Sequence, residues 1–197
     1  MSTKSKSKLK QLDIKCTSAD CESHLHCFKP DRRMKILNEF GKCRYCGIEL
    51  IEWNRIHKCD INEIDYVFES LKHECFRHYM WHVEIDQLAI NYARRKGRVG
   101  IRSTAEKRIR KYIGQANPPY DGRQTPREGS GNTICYAQHA TATCCRKCAE
   151  YWYGIPPDRQ LTKQEIVYFT ELIVRYIDDR LPFLTDNGER VPPIRKK

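Results

Sequence analysis

Eleven cysteines stand in a chain of 197 residues, and two groups of them carry CxxC spacing. This pattern constrains the fold most. MSTKSKSKLK at the N-terminus is basic and polar with no apolar run behind it, so a secretory signal is not expected and a reducing, cytoplasmic setting is. Clustered thiols in such a setting point to zinc rather than to disulfides. Cys-dense, loop-rich segments are held by metal in place of a large apolar core.

The sharpest local signal is Cys43-Arg-Tyr-Cys46-Gly47. CxxC followed by Gly makes a tight turn in which two thiolates face one ion. A tetrahedral site needs two more ligands. Cys16 and Cys21 are the expected pair, with Cys27, His24 and His26 also within reach. Four thiolates would close the coordination shell, so this site reads as structural.

The second signal is Cys144-Cys145-Arg-Lys-Cys148. Its partners must come from elsewhere in the chain. His78 and His82 are four apart and share one face of an expected helix. A site of His82 with Cys144 or Cys145 and Cys148, supplemented by His139 or His78, would tie the middle of the chain to its C-terminal half. Three protein ligands would leave a position for water, as catalytic zinc requires. The cofactor reading is therefore Zn2+, one ion at the first cluster and room for a second here.

Charge sets the expected partner. Lys plus Arg is 36 and Asp plus Glu is 25, a net charge of +11. Such a surplus favours a polyanion, most often nucleic acid, with DNA ahead of RNA. The densest run is Arg94, Arg95, Lys96, Arg98, Arg102, Lys107, Arg108, Arg110 and Lys111, opposed between residues 94 and 112 only by Glu106. Arg123 in the following loop could join it. No stretch is apolar and long enough to cross a membrane, so a membrane partner is not expected.

Periodicity orders the rest. Residues 1–11 read as a basic tail and 12–60 as the Cys-rich module. Residues 61–185 read as a helical domain and 186–197 as a second basic tail. Ile64, Val67, Phe68, Leu71, Cys75 and Tyr79 form one helical stripe, and Ile85, Leu88, Ala89, Tyr92 and Ala93 another. Gly97 and Gly100 break the pattern, and Ser103 or Thr104 can start a short helix. Residues 115–134 read as a long loop. Thr162 and Glu165 form a capping box for a helix that runs to about Arg180 before Pro182. The expected fold is α+β, mostly α-helical: a small zinc-knuckle or ribbon module packed on a helical domain with the second Cys/His site.

The polar loop before the second cluster suggests chemistry. His139 is the natural general base, since an imidazole titrates near neutrality. Asp121 could orient it or activate water, and Gln124 and Arg123 could contact substrate. A zinc-containing hydrolase acting on nucleic acid, a nuclease or base-processing enzyme, is the first functional expectation. A non-catalytic zinc module that binds DNA, RNA or a protein partner is the second.

DGRQTP at 121–126 and AQHATATCCRKC at 137–148, followed by EYWYGIP and LTKQEI, resemble the uncharacterised family called domain of unknown function 4186. KGRVGIRSTAEKRIRKYIGQA and FRHYMWH resemble segments of the same family, so the likeness spans about residues 76–182. It implies a domain boundary and shared motif positions at Gln124, His139, Cys144, Cys145, Cys148 and His82. It implies no reaction. The Cys-rich first 60 residues lie outside it.

Overall fold

The computed structural model describes residues 14–127, 129–192 and 194. The expected tail at 1–11 lies outside them. The described residues are mostly helical, with eight helices, one 3-10 turn at Ile61–Glu63 and two isolated β-bridges, Asp20 with Leu25 and His26 with Glu74. No strand is named among them, so the β part of the α+β expectation and the ribbon are not seen there.

The helices are α1 Arg32–Leu37, α2 Trp53–Ile56, α3 Ile64–Lys72 and α4 Cys75–His82. Then come α5 Gln87–Tyr112, α6 Thr133–Ala140, α7 Arg146–Tyr153 and α8 Lys163–Arg180. None is long and apolar enough to cross a membrane.

The main packing partners are α5 on α8, α4 on α6 and α6 on α8. Besides Asn91, the buried residues of α5 are small or aliphatic and recur every four residues: Ala89, Ala93, Gly97, Ile101, Ala105 and Ile109. That spacing lets the backbone come close to the apolar face of α8, where Phe169, Leu172, Ile173, Tyr176 and Ile177 are buried. The start of α8 is the expected capping box, Thr162 with Glu165.

Gly97 kinks α5 at φ 63° and ψ 173°, a conformation few residues besides glycine adopt. The helix resumes directly, rather than at Ser103. The C-terminal segment fills the kink. Arg98 and Val99 donate their backbone N–H to Thr185 and Asp186, and Glu189 donates to the Arg94 carbonyl. A Cβ on Gly97 would overlap the Asn187 carbonyl carbon. Residues 185–189 are therefore packed against α5, not a free tail.

Residues 133–140 carry no helical signal in the sequence, yet they form α6, and all eight are buried. The segment lacks a polar face, so amphipathic periodicity could not mark it. The N-terminal segment joins the same core through aromatic rings. Phe28 and Trp53 lie 6.1 Å and 5.2 Å from Trp152 of α7, centroid to centroid.

Candidate metal centres

Two groups of side chains have the geometry to hold a metal ion among the described residues. The first joins Cys21, His26, Cys43 and Cys46, one ligand atom of each lying within 4.8 Å of the others. Cys43 and Cys46 flank the expected knuckle turn, closed by the Gly47 N–H on the Cys43 carbonyl at 2.8 Å, with Gly47 at φ +76°. Cys21 Sγ stands 3.8 Å from Cys43 Sγ, and His26 Nδ1 stands 3.4 Å from Cys46 Sγ.

His26 thus occupies the place expected for Cys16. Its backbone explains why. The His26 N–H donates to the His73 carbonyl and its carbonyl accepts from Cys75 N–H, both at 2.8 Å. The α3–α4 junction fixes His26, and the ring reaches back to the knuckle. Burial pushes the Cys43 thiol up, but backbone hydrogen bonds at Cys27, Cys46 and Tyr45 outweigh it and lower its pKa to about 6. A thiolate made available near neutrality is what a metal ligand requires.

The second group is Cys144, Cys145 and Cys148. Cys145 caps α7, its Sγ accepting the Cys148 N–H at 3.4 Å, and Cys144 Sγ lies 3.6 Å from Cys148 Sγ. All three are buried. Hydrogen bonds from the Cys144 and Cys145 thiols hold Cys148 well below the ordinary thiol range, and the Arg77 guanidinium assists.

Arg77 is the residue that sequence reasoning passed over. It is fully buried in α4. Its Nη2 donates to Cys148 Sγ at 3.1 Å and to the Tyr151 hydroxyl at 2.9 Å. Its Nη1 donates to the His139 carbonyl at 2.6 Å, and its Nε to Glu74 at 3.0 Å. Glu74 is buried too and also accepts from Trp152 Nε1 at 2.7 Å and from Tyr151. The local sequence offered only the Glu74–Arg77 spacing of three residues, which marks an ion pair but not its burial. One cation lying on a thiolate cluster offsets the negative charge such a site carries.

The other expected site residues fall elsewhere. His82 is outside both groups, its Nδ1 2.7 Å from the His78 carbonyl and its ring 4.2 Å from that of His78. The i to i+4 face was correct, but it stacks the two imidazoles on each other. Asp121 accepts the N–H of Arg146 at 2.7 Å and of Lys147 at 3.4 Å, so it binds the first turn of α7. His139 is buried in α6. Burial, then the nearby Arg77 charge, lowers its pKa to about 4, and its Nε2 lies 2.9 Å from the Thr125 carbonyl. It is neutral at physiological pH and is not open to solvent. Its Nδ1 and both side-chain amide atoms of Gln124 are buried without a hydrogen-bond partner among the described residues.

The basic run divides in two. Arg94 pairs with Glu189, Arg98 with Asp178, Arg102 with Glu171 and Arg110 with Glu106, at 2.7 to 3.0 Å. Arg108 donates to the Gln138 side chain and to the Gln124 carbonyl, fastening the 121–125 loop to α5 and α6. Arg95, Lys96, Lys107, Lys111 and Arg123 are exposed, with no acidic partner among the described residues. For Arg94, Arg98 and Arg102 the acids lie 69 to 95 positions away in the chain, beyond a local reading. A surface cleft of about 820 Å³ is lined by residues such as His57, Cys59 and Tyr168 and includes none of the cluster ligands.

A family model described as a domain of unknown function, DUF4186, matches residues 65–178, more than half of the chain. The match begins at α3 and includes the second cluster, while the first cluster lies before it. No solved structure matches the chain.

Proposed function

The chain belongs to the domain of unknown function 4186 family, and we propose that it is a non-catalytic, zinc-supported module that binds nucleic acid. The observation that carries this reading is the division of the α5 cations. The row turned toward α8 neutralises acids of the fold, while Arg95, Lys96, Lys107 and Lys111 face solvent, as does Arg123 of the loop that Arg108 fastens to α5. Exposed cations along one helix suit a phosphate backbone, whose contacts set affinity without reading sequence. The exposed ion pairs of Arg94 and Arg102 stabilise little and can open toward phosphate.

The metal clusters support this surface from within. Site one closes the N-terminal segment over the α3–α4 junction, and site two sits at the start of α7 on the Arg77 network. A buried, neutral His139 with its Nε2 on a backbone carbonyl suits a packing role better than general-base chemistry. In this reading Asp121 and Gln124 hold the loop and α7, and the hydrolase reading recedes.

The test is binding of a labelled DNA duplex across a salt series, with RNA as comparison. The logarithm of affinity should fall linearly with the logarithm of salt. Replacing Lys96, Lys107 and Lys111 together by Ala should flatten that slope by about 2 to 3, since each lost phosphate contact removes about 0.9. Binding should weaken by a similar factor on unrelated sequences, and no cleavage product should form with any divalent ion. An unchanged slope in the triple variant would refute the assigned face. Turnover that disappears in His139→Ala would return the hydrolase reading.

A further inference from the structure

Site two presents three thiolates, whereas structural zinc takes four ligands in a tetrahedron. The fourth donor must come from a side chain that can approach a buried cluster. Cys16, displaced from site one by His26, is half-buried and packs against the core. Its backbone runs between the two sites, the Thr17 carbonyl accepting from the Tyr45 hydroxyl of the knuckle at 2.8 Å. Cys27 Sγ donates to the Cys16 carbonyl at 3.6 Å, and Arg127 donates to the Ile14 carbonyl at 2.6 Å. Arg127 follows Thr125, whose hydroxyl donates to the Cys144 carbonyl at 3.1 Å. The segment around Cys16 therefore crosses the loop that touches the cluster.

Beyond burial, which raises its thiol, the strongest electrostatic neighbours of Cys16 are Arg77 and Cys148. Both belong to site two. His139 is the competing donor, with an unpartnered Nδ1. Both Cys16 and His139 lie outside the ligand group, but His139 is fixed in a fully buried helix with its Nε2 at the Thr125 carbonyl. Cys16 stands on a loop segment that can close the last distance.

We propose that Cys16 is the fourth ligand of the second site, so that Cys16, Cys144, Cys145 and Cys148 form a four-cysteine zinc centre. The N-terminal chain then enters site two before it builds site one, and the two centres interlock the segment 16–46 with the family domain. On binding, each thiol loses its proton to solvent and forms a sulfur–metal bond, with no change of oxidation state. The arginine on Cys148 and the N–H groups at the start of α7 suit a cluster of such high negative charge.

The inference rests on site two holding metal, and the experiment separates the two claims. The full chain is loaded with Co2+, and the bound metal and the thiolate-to-cobalt charge-transfer intensity are measured for wild type, Cys16→Ser, Cys27→Ser and His139→Gln. Three cysteines at site one and four at site two give seven bound thiolates. The expected result is two cobalt ions in every protein, with the intensity of six thiolates in Cys16→Ser and of seven in the others. Two cobalt ions with unchanged intensity in Cys16→Ser would overturn the assignment and leave the metal site standing. Altered ligand-field bands in His139→Gln alone would overturn it in favour of the imidazole. A single cobalt in wild type would remove both the assignment and the second metal site.

Discussion

Removing metal from site one is expected to abolish hydrogen-exchange protection across residues 20–50, while α5 and α8 keep theirs. The expectation follows from how little else holds that segment. Its buried apolar side chains are few, chiefly Phe28, Met34 and Cys43, and its one α-helix, α1, has six residues. A helix that short has no stability of its own. In small zinc modules the free energy of metal binding serves as folding free energy, about 10 kcal/mol or more near neutral pH. By contrast α5 and α8 bury an extended face of Ala, Ile, Leu, Phe and Tyr and need no ion. Acid should mimic chelation, because protons compete for the Cys43 sulfur once pH falls below its lowered value of about 6. Hydrogen exchange with mass readout, with and without chelator, checks this. Equal loss of protection in α8 would show that the metals hold the whole chain.

Arg77→Met destabilises the protein by about 3 to 5 kcal/mol, the cost of leaving a buried charge without its partner. Glu74 and Cys148 lose their cation at once, and the His139 carbonyl loses its donor. The double variant Glu74→Gln, Arg77→Met should recover part of that loss, since neither charge then remains buried. The pH dependence has a definite sign. Burial already raises the Glu74 carboxyl, opposed first by Arg77, so removing Arg77 raises it further. An acid whose folded pKa exceeds its unfolded one binds more protons when folded. Its contribution is therefore lost as pH rises from the ordinary carboxylate range toward the raised value. The urea midpoint of Arg77→Met should fall further behind wild type as pH rises through that window. A deficit that does not depend on pH would mean that Glu74 is not the group left uncompensated.

Local signals carried much of this architecture. The knuckle at Cys43 to Gly47, the Cys145–Cys148 pair and the Thr162–Glu165 cap are each set by residues within five positions of one another, and the structure has them in place. The break at Gly97 was equally local. Four features were not legible, each for a physical reason. His26 instead of Cys16 depends on backbone pairing with residues 73 and 75, almost fifty positions away. Arg94 and Arg102 find their acids 95 and 69 positions on, so spacing alone could not show that each also holds an ion pair of the fold. Helix α6 has no polar side, and Arg77 looks like a surface residue until Glu74, Tyr151 and Cys148 surround it.

The central claim is that two separate thiolate-rich centres hold metal in one chain. Native mass spectrometry of the full protein, purified without chelator, measures this directly. The account predicts two zinc ions per chain in wild type, one in the double variant Cys43→Ser, Cys46→Ser and one in the double variant Cys145→Ser, Cys148→Ser, each keeping the ion of the intact centre. A wild-type protein with a single zinc that the Cys145→Ser, Cys148→Ser variant leaves in place would contradict it.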